Sequence, residues 1–298
     1  MNLAAGTTVV DAHHHLWDPG RRSYPWMDGV ALSPIRRRYG LDELRDVTAA
    51  NAVDATVLVQ TTSDFEESVE FCATAAASRG LIAGVVGWVD LTLGERVEAQ
   101  IEQLRSAQGG DSLVGLRHQV ENEADREWLT RPDVTAGIAA AGRAGLVYDL
   151  LVVTDQLRSA TWLADRLDTV SFVLDHAGKP PLTGGADAWE AWRIGIAALA
   201  ARPNVVCKLS GLATEADWSA WDAATLRPAA ELVLELFGSE RVMFGSDWPV
   251  CELAGTYAEI IVAACDLTVE LSTVEQTLVF RENACRVYRL DAALAPGD

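Results

Sequence analysis

Short apolar stretches recur along this chain and are separated by polar segments. Eight of them cover residues 8–10, 55–59, 82–88, 113–118, 146–152, 170–176, 204–209 and 242–245. Their apolar residues are nearly continuous rather than alternating, which is typical of parallel strands covered on both faces. The usual interval is about 30 residues, the length of one strand–helix–strand unit. The pattern therefore predicts eight parallel strands.

Segments rich in alanine, leucine and glutamate fill most intervals and predict helices over 66–79, 93–107, 134–143, 155–167, 187–201 and 223–237. Ser272 with Glu275 forms a capping box that predicts a further C-terminal helix. Strands alternating with helices predict an α/β fold, a single (β/α)8 TIM-type barrel with its active site at the C-terminal ends of the strands. An open doubly wound sheet is the alternative, but no glycine-rich phosphate loop follows a strand.

The longest interval between strands, residues 16–54, is rich in tryptophan, tyrosine and proline. We expect it to form an ordered loop over the barrel mouth. No low-complexity tract or block of charge divides the chain. Because barrels of this kind commonly form one domain of about 250 residues, we expect a single domain over residues 1–298.

Charge and composition narrow the class of partner. The chain has 24 Lys and Arg against 43 Asp and Glu, a formal net charge of -19. Such a surface repels nucleic acids and anionic membranes, so we expect a small-molecule substrate. The first eight residues lack a secretory signal pattern, no apolar stretch reaches the roughly 18 residues of a membrane span, and the scattered cysteines contain no CxxC pair. We expect a cytoplasmic protein, and homo-oligomerisation stays open.

Polar residues that could carry chemistry lie at or just after the C-terminal ends of five predicted strands. They are His13 and His15, Arg117 and His118, His176, Lys208 and Ser210, and Asp247. The C-terminal ends of barrel strands are where active sites are assembled from several strands at once. Their positions therefore predict one shared site.

His13 and His15 stand two residues apart, so an extended strand would direct both side chains into the barrel mouth and His14 away from it. Two imidazoles so placed suit either a cation or a carbonyl oxygen. The alternative is a polar loop. His176 could act as a ligand, an electrophile or a proton carrier. The alternative is that it only caps the end of its strand.

Asp247 follows the last strand and could act as a general base beside an imidazole or a cation. The alternative is that its side chain only caps a turn. Arg117 offers a fork of donors for an oxyanion or a carboxylate, unless it only pairs with a neighbouring acid. Four tryptophans lie near strand ends or in the first loop and could form an apolar wall or a stacking platform for a sugar ring: Trp17, Trp26, Trp88 and Trp248.

Five motifs together resemble the amidohydrolase-related "amidohydrolase 2" family. They are Asp-Ala-His-x-His-Leu-Trp-Asp-Pro at 11–19, Gly-Leu-Arg-His at 115–118, His-Ala-Gly-Lys-Pro at 176–180, Lys-Leu-Ser-Gly-Leu at 208–212 and Phe-Gly-Ser-Asp-Trp-Pro at 244–249. The most similar branch holds sugar-acid lactonases, acting on L-fuconolactone and L-rhamnonolactone, and 2-pyrone-4,6-dicarboxylate lactonase.

This resemblance implies a distorted TIM barrel with His13, His15, His176 and Asp247 as the catalytic set. In metal-dependent relatives the set holds a divalent ion, helped by a Lys, Glu or His at the fifth strand. Residues 146–150 offer Tyr148 but none of those three types. The departure argues against a two-metal centre and matches the lactonase branch, where Tyr, Arg and His groups polarise the ester. We expect either no required cofactor or a single divalent ion, Zn²⁺ in preference, on His13, His15 and Asp247.

The resemblance predicts a hydrolase that opens a lactone, most naturally of a sugar acid. Asp247 would activate water while His and Arg groups or one divalent ion polarise the carbonyl. The substrate-binding set would be Arg117, His118, Trp17, Trp26, Tyr148, Lys208, Ser210 and Trp248. A metal-dependent decarboxylase, another C–O or C–N hydrolase of the same family, and a barrel that only binds its ligand remain alternatives.

Overall fold

The eight predicted strands form one parallel sheet that curls into a nearly closed barrel. The computed structural model describes residues 8–290, so most of the N-terminal segment judged for a signal, residues 1–7, lies outside them. The strands follow one another around the sheet in chain order. They are β1 Val9–His14, β2 Val53–Val59, β3 Ile82–Gly87, β4 Leu113–His118, β5 Val147–Leu150, β6 Phe172–Leu174, β7 Val205–Leu209 and β8 Val242–Phe244.

Eleven α-helices occur within the described residues. They are α1 Leu41–Ala50, α2 Phe65–Ala77, α3 Val97–Ser106, α4 Pro132–Arg143, α5 Leu157–Arg166, α6 Ala186–Ala200, α7 Leu212–Glu215, α8 Ala223–Phe237, α9 Tyr257–Leu267, α10 Thr273–Thr277 and α11 Asn283–Tyr288. The six helices predicted between strands are confirmed as α2 to α6 and α8. The Ser272 capping box is confirmed at the start of α10.

The expectation of a loop over residues 16–54 was wrong in part, because α1 forms there. Its first turn carries Asp42 and Glu43, which favour the positive end of the helix dipole, and Leu44 is buried beneath it. The rest of the interval contains two short 3₁₀ helices, Pro25–Met27 and Val30–Ile35. Within residues 8–290, no helix is both long and apolar enough to cross a bilayer.

The barrel interior is layered. An apolar cluster of strand residues, chiefly valines, fills one level, and Ala284 and Tyr288 of α11 join it. A second apolar cluster lies between the strands and the surrounding helices. At the level between the interior valines and the mouth, the interior carries charged side chains, including Asp149 of β5 and Lys208 of β7, both fully buried. This layering puts the polar chemistry at one end of the barrel.

Candidate active site

Four polar side chains meet at the C-terminal end of the barrel, and we name them the histidine cluster: His13, His15, His176 and Asp247. The two Nε2 atoms of His13 and His15 lie 3.1 Å apart. Asp247 Oδ1 lies 3.4 Å from His15 Nε2, 3.7 Å from His13 Nε2 and 3.9 Å from His176 Nε2. All four side chains are buried. Residues far apart in sequence therefore converge on one carboxylate oxygen.

An irregularity in β1 helps to place its histidines. Four residues of β1, Asp11 to His14, pair against three of β2, Thr56 to Leu58, so a bulge interrupts the register. Ala12 joins the interior apolar cluster, and His13, the next residue, also reaches interior side chains. His15 Nδ1 lies 2.7 Å from the carbonyl oxygen of Val59. Because a carbonyl only accepts, that nitrogen carries the hydrogen and Nε2 is left with its lone pair.

Unusual backbone conformations position the other two members. His176 and Asp247 both have positive φ, 52° and 57°. Such a conformation costs a non-glycine residue about 1–3 kcal/mol and persists only where its surroundings hold it. The amide of Asp247 donates to the carbonyl of His13 at 2.8 Å. Gly211 is required beside His176, because a Cβ there would lie 2.6 Å from His176 Nδ1.

Beneath the cluster lies what we name the ionic layer: Arg117, Asp149, Asp175 and Lys208. Lys208 Nζ lies 2.6 Å from Asp149 Oδ2, 2.9 Å from Asp175 Oδ1 and 3.1 Å from His13 Nδ1. Arg117 Nη1 donates to Asp175 Oδ2 at 3.0 Å. Asp175 Oδ1 is also 3.2 Å from His13 Nδ1. The layer therefore fixes the His13 ring from below.

Electrostatics favour neutral imidazoles beside an ionised carboxylate. Burial lowers the pKa of His13 far below its usual value and also lowers the pKa of His176. Burial opposes ionisation of Asp247, but attraction to His176 when that ring is protonated and to Lys179 outweighs burial and holds the pKa of that carboxyl below its ordinary value. A neutral imidazole is the form that binds a metal ion, and a carboxylate is the form that accepts a proton.

A cavity of about 420 Å³ opens above the cluster. His15, His176, Asp247 and Arg117 form part of its wall. The remaining polar wall consists of Thr61, Gln119, Glu121, Asn122, Lys179, Thr214 and Glu215, and the apolar wall is formed chiefly by Trp26, Trp218, Leu151, Val153, Val250 and Leu253. A concave, partly apolar space with a few convergent polar groups is the usual form of a small-molecule site.

His118 does not line this cavity. Neighbours on a regular strand point to opposite sides, and β4 pairs with β5 without a register shift. His118 therefore lies away from Arg117. It accepts a hydrogen bond from Trp88 Nε1 at 3.0 Å, contacts Glu123 at 2.7 Å, and stacks on Trp128 with ring centroids 4.2 Å apart.

Tyr148 also lies away from the cavity, because its strand alternation sends Asp149 inward and Tyr148 into the layer between strands and helices. Trp17 and Trp248 are fully packed on either side of Tyr39, with centroid separations of 5.3 and 5.4 Å. Their indole nitrogens donate to Ile35 and Glu252.

Lys208 and Ser210 lie beneath or behind the cluster rather than on the cavity wall. Ser210 Oγ is 2.9 Å from His176 Nδ1, and Lys208 contacts His13. Both therefore support histidines. Of the eight residues expected to bind substrate, the structure brings Arg117 and Trp26 to the cavity.

Several polar residues of the site were missed from the sequence. Asp149 and Asp175 were detectable as acids inside apolar runs, at positions whose alternation with interior valines directs them inward. Glu121, Lys179 and Glu215 lie in loops after β4, β6 and β7. Lys179 belongs to one of the recognised motifs, but its backbone has a positive φ of 54°, a conformation that the sequence does not predict.

The donor set of the cluster fits a single divalent ion. Zn²⁺ with ligands at about 2.0–2.1 Å in tetrahedral geometry separates its ligand atoms by roughly 3.3 Å. The separations among His13 Nε2, His15 Nε2 and Asp247 Oδ1 are 3.1, 3.4 and 3.7 Å. The hydrogen bond from His15 to Val59 orients that ring as metal ligands usually require. His13 with Asp175 and His176 forms a second grouping of the same kind.

Comparison with known proteins identifies the family. The family described as Amidohydrolase matches residues 10–290. L-fucono-1,5-lactonase from Burkholderia multivorans is 37% identical over 295 residues, covering 96% of this chain and 97% of that protein. L-fucono-1,5-lactonase from Burkholderia ambifaria is 34% identical over 289 residues, with 96% and 97% covered.

A crystal structure of an amidohydrolase from Burkholderia multivorans with bound zinc superimposes with a TM-score of 0.88. It is 35% identical and covers 95% of this chain and 100% of its own. The fold, the matched length and these identities agree. The chain belongs to the amidohydrolase family of TIM-barrel hydrolases.

Proposed function

We propose that this protein hydrolyses the lactone ring of a sugar acid, with Asp247 as the general base. The observation that carries the proposal is the Asp247 carboxylate, which lies on the cavity wall within 3.9 Å of three imidazole nitrogens. Support also comes from the two relatives named L-fucono-1,5-lactonase, which match nearly the whole chain.

Asp247 would accept a proton from water as the water oxygen attacks the ring carbonyl. The carbonyl carbon gains a bond to that oxygen, and the carbonyl oxygen takes the electron pair as an oxyanion. Collapse of this intermediate breaks the bond to the ring oxygen, which receives the proton from Asp247. The product is the open-chain hydroxy acid, and Asp247, whose pKa lies below its ordinary value, is a carboxylate again when the product leaves.

The oxyanion needs donors held in place before the reaction. His176 and Arg117 both face the cavity. When the Ser210 hydroxyl donates to His176 Nδ1, His176 Nε2 carries the hydrogen and can donate to the oxyanion. Loss of one such donor typically reduces the rate by about 10²–10³-fold.

His13, His15 and Asp247 would hold a divalent ion, Zn²⁺ in preference, as their spacing allows. When bound there, such an ion polarises the carbonyl and lowers the pKa of water. An activated cyclic ester needs less assistance than an amide, so the site could also act through its own donors.

A pH-indicator assay over aldonolactones and pyrone lactones, with and without a chelator, tests the proposal. We expect acid release from at least one aldono-1,5-lactone. Persistence of the rate after chelation would assign the polarising role to His176 and Arg117, and loss restored by Zn²⁺ would assign it to the ion. Release of carbon dioxide from an unsaturated acid, with every lactone left intact, would refute lactone hydrolysis in favour of decarboxylation.

A further inference from the structure

Three charged side chains from different loops meet on the cavity wall, and we name them the rim triad: Glu121, Lys179 and Glu215. Glu121 lies in the 3₁₀ helix Val120–Asn122 after β4, Lys179 follows the turn after β6, and Glu215 ends α7 after β7. The Lys179 ammonium contacts Glu121 directly and lies 3.9 Å from Glu215 Oε1. All three belong to the wall that also carries His176 and Asp247.

The triad remains accessible to a ligand. The exposed fractions of its side chains are 24% for Lys179, 18% for Glu121 and 26% for Glu215. Burial opposes the charge on Lys179, but Glu121 and Glu215 outweigh it and raise the pKa of the amine, which keeps the cation. One ammonium flanked by two carboxyl groups offers a hydrogen-bond donor with acceptors on either side, which matches neighbouring hydroxyls of a sugar ring.

Both cations on the cavity wall already have acidic partners. Arg117 Nε donates to Gln60 Oε1 at 2.9 Å, Nη1 to Asp175 at 3.0 Å, and Nη2 to the carbonyl oxygen of Gln60. Lys179 is matched by two acids. Counting imidazoles as neutral, the wall carries two cations, Arg117 and Lys179, against three anions, Glu121, Glu215 and Asp247. The rim triad alone has one cation, Lys179, against two carboxyl groups, so an anionic group at the rim would meet net repulsion even when a divalent ion occupies the histidine cluster.

Tryptophans complete the match to a sugar-like ring. Trp26 and Trp218 line the same cavity and offer apolar faces to C–H groups. Trp218 Nε1 donates to the carbonyl of Thr214 at 2.9 Å, which fixes it beside Glu215. Trp26 Nε1 is buried and meets no acceptor in residues 8–290.

We infer that the rim triad is the specificity element of the site: it binds ring hydroxyls through Lys179 and Glu215 and restricts the enzyme to uncharged, polyhydroxylated lactones. The inference rests on the proposed lactone hydrolysis and adds which residues select the substrate. The hydroxyl oxygen accepts from Lys179 Nζ, and its hydrogen is donated to Glu215. Lactones with carboxylate substituents are excluded by charge.

The test compares three ring esters on the purified full-length protein: L-fucono-1,5-lactone, the hydroxyl-free δ-valerolactone, and 2-pyrone-4,6-dicarboxylate. We expect wild-type kcat/KM to be at least about 100-fold higher for the hydroxylated ring, because a site built to bind a hydroxyl strongly rejects the analogue that lacks it. The dicarboxylate should be the poorest of the three.

Glu215→Gln and Lys179→Met should each reduce that preference by about tenfold or more, mainly through KM for the hydroxylated ring. Glu235→Gln, at an exposed position of α8, is the matched control and should keep the wild-type preference. Thermal melting identifies any variant that fails to fold, and Glu215→Gln, which keeps the side-chain shape, is the safer of the two.

Equal losses on both neutral rings would overturn the triad as a specificity element, since a merely structural role would affect them alike. A wild-type preference for the dicarboxylate would overturn it as well. Failure of wild type to open these rings and every aldonolactone of the pH-indicator screen refutes the proposed function itself, which distinguishes that failure from an error in the triad.

Discussion

The ionic layer and the histidine cluster are adjacent, equally buried, and built for different purposes. In the ionic layer the cations and acids are paired with each other: Lys208 binds Asp149 and Asp175, and Arg117 binds Asp175 and Gln60. In the histidine cluster the Nε2 atoms and one carboxylate oxygen point at each other and at the cavity. Saturated charges hold a structure, and unsaturated ones can act on a ligand.

A second contrast concerns the protonation of two buried acids, Asp175 of the ionic layer and Glu67 of α2. The Asp175 carboxyl is buried, yet Lys208, His13 and Arg117 outweigh that burial and hold its pKa well below the ordinary range. Glu67 of α2 is buried as deeply, but its close partners are the hydrogen-bond donors Thr61 and Thr62. Burial raises its pKa to about 7 despite them. Neighbouring cations, rather than hydrogen bonds alone, keep a buried acid ionised here.

Removal of the Lys208 cation should have the largest effect on stability. Lys208→Met would leave Asp149 and Asp175 without their shared cation in the barrel interior. Breaking a buried ion pair from one side costs about 3–5 kcal/mol. Denaturant titration against wild type measures this. A loss below about 1 kcal/mol would show that the layer does not hold the barrel together.

Glu67 should make stability depend on pH in the opposite sense to a salt-bridged acid. Its pKa is about 7 in the folded chain against 4.5 ordinarily, so the folded state binds the proton more tightly. The contribution of Glu67 to the free energy of unfolding is fully present below pH 4.5 and is lost as pH rises through 7. The total loss is about 3 kcal/mol, at 1.36 kcal/mol for each unit of pKa difference.

Unfolding free energies of wild type and Glu67→Gln, measured from pH 4.5 to 8, test this sign. Their difference should shift towards the variant as pH rises. A shift towards wild type over that range would mean that Glu67 is stabilised as a carboxylate, and the contrast with Asp175 would disappear.

Zinc binding should depend on the histidine cluster and be weakened by loss of one ligand. Even partners outside the coordination sphere are worth about 10–100-fold in metal affinity, so His15→Ala should weaken binding by at least about 100-fold. Competition titration with a chromophoric chelator measures the affinity without reference to activity. Unchanged zinc affinity in this variant would place the ion elsewhere.

Gly211 supports the cluster through the space it leaves free rather than through charge, and its substitution should cost less stability than loss of the Lys208 cation. Gly211→Ala adds a Cβ 2.6 Å from His176 Nδ1 at a φ of +64°. We expect a loss of about 1–2 kcal/mol from the left-handed conformation, together with a lower rate because His176 is displaced. Gly80→Ala is the control, since Gly80 also has a positive φ, 94°, but has no neighbour within 4 Å of an added Cβ. An equal loss of activity in both variants would contradict the role given to His176.

The strands could be predicted because barrel strands are apolar runs at a regular spacing. The histidine cluster could be predicted because its residues lie at the C-terminal ends of strands. The side of the sheet to which a residue's side chain points was harder to predict. Arg117 and His118 end the same strand, yet regular alternation brings only Arg117 to the cavity. In β1 a bulge changes the alternation, and no residue type marks it. Loop positions such as Lys179 depend on a positive φ that the sequence leaves open.

The most direct test of the account is Asp247→Asn. Asparagine tolerates the left-handed backbone of this position, so the variant should fold with a melting temperature close to that of wild type. Its lactone hydrolysis should fall by about 10²–10⁴-fold, as expected when a general base is lost, while the exposed control Asp168→Asn keeps the full rate. A folded Asp247→Asn enzyme that opens the lactone at the wild-type rate would contradict the central role of this carboxylate.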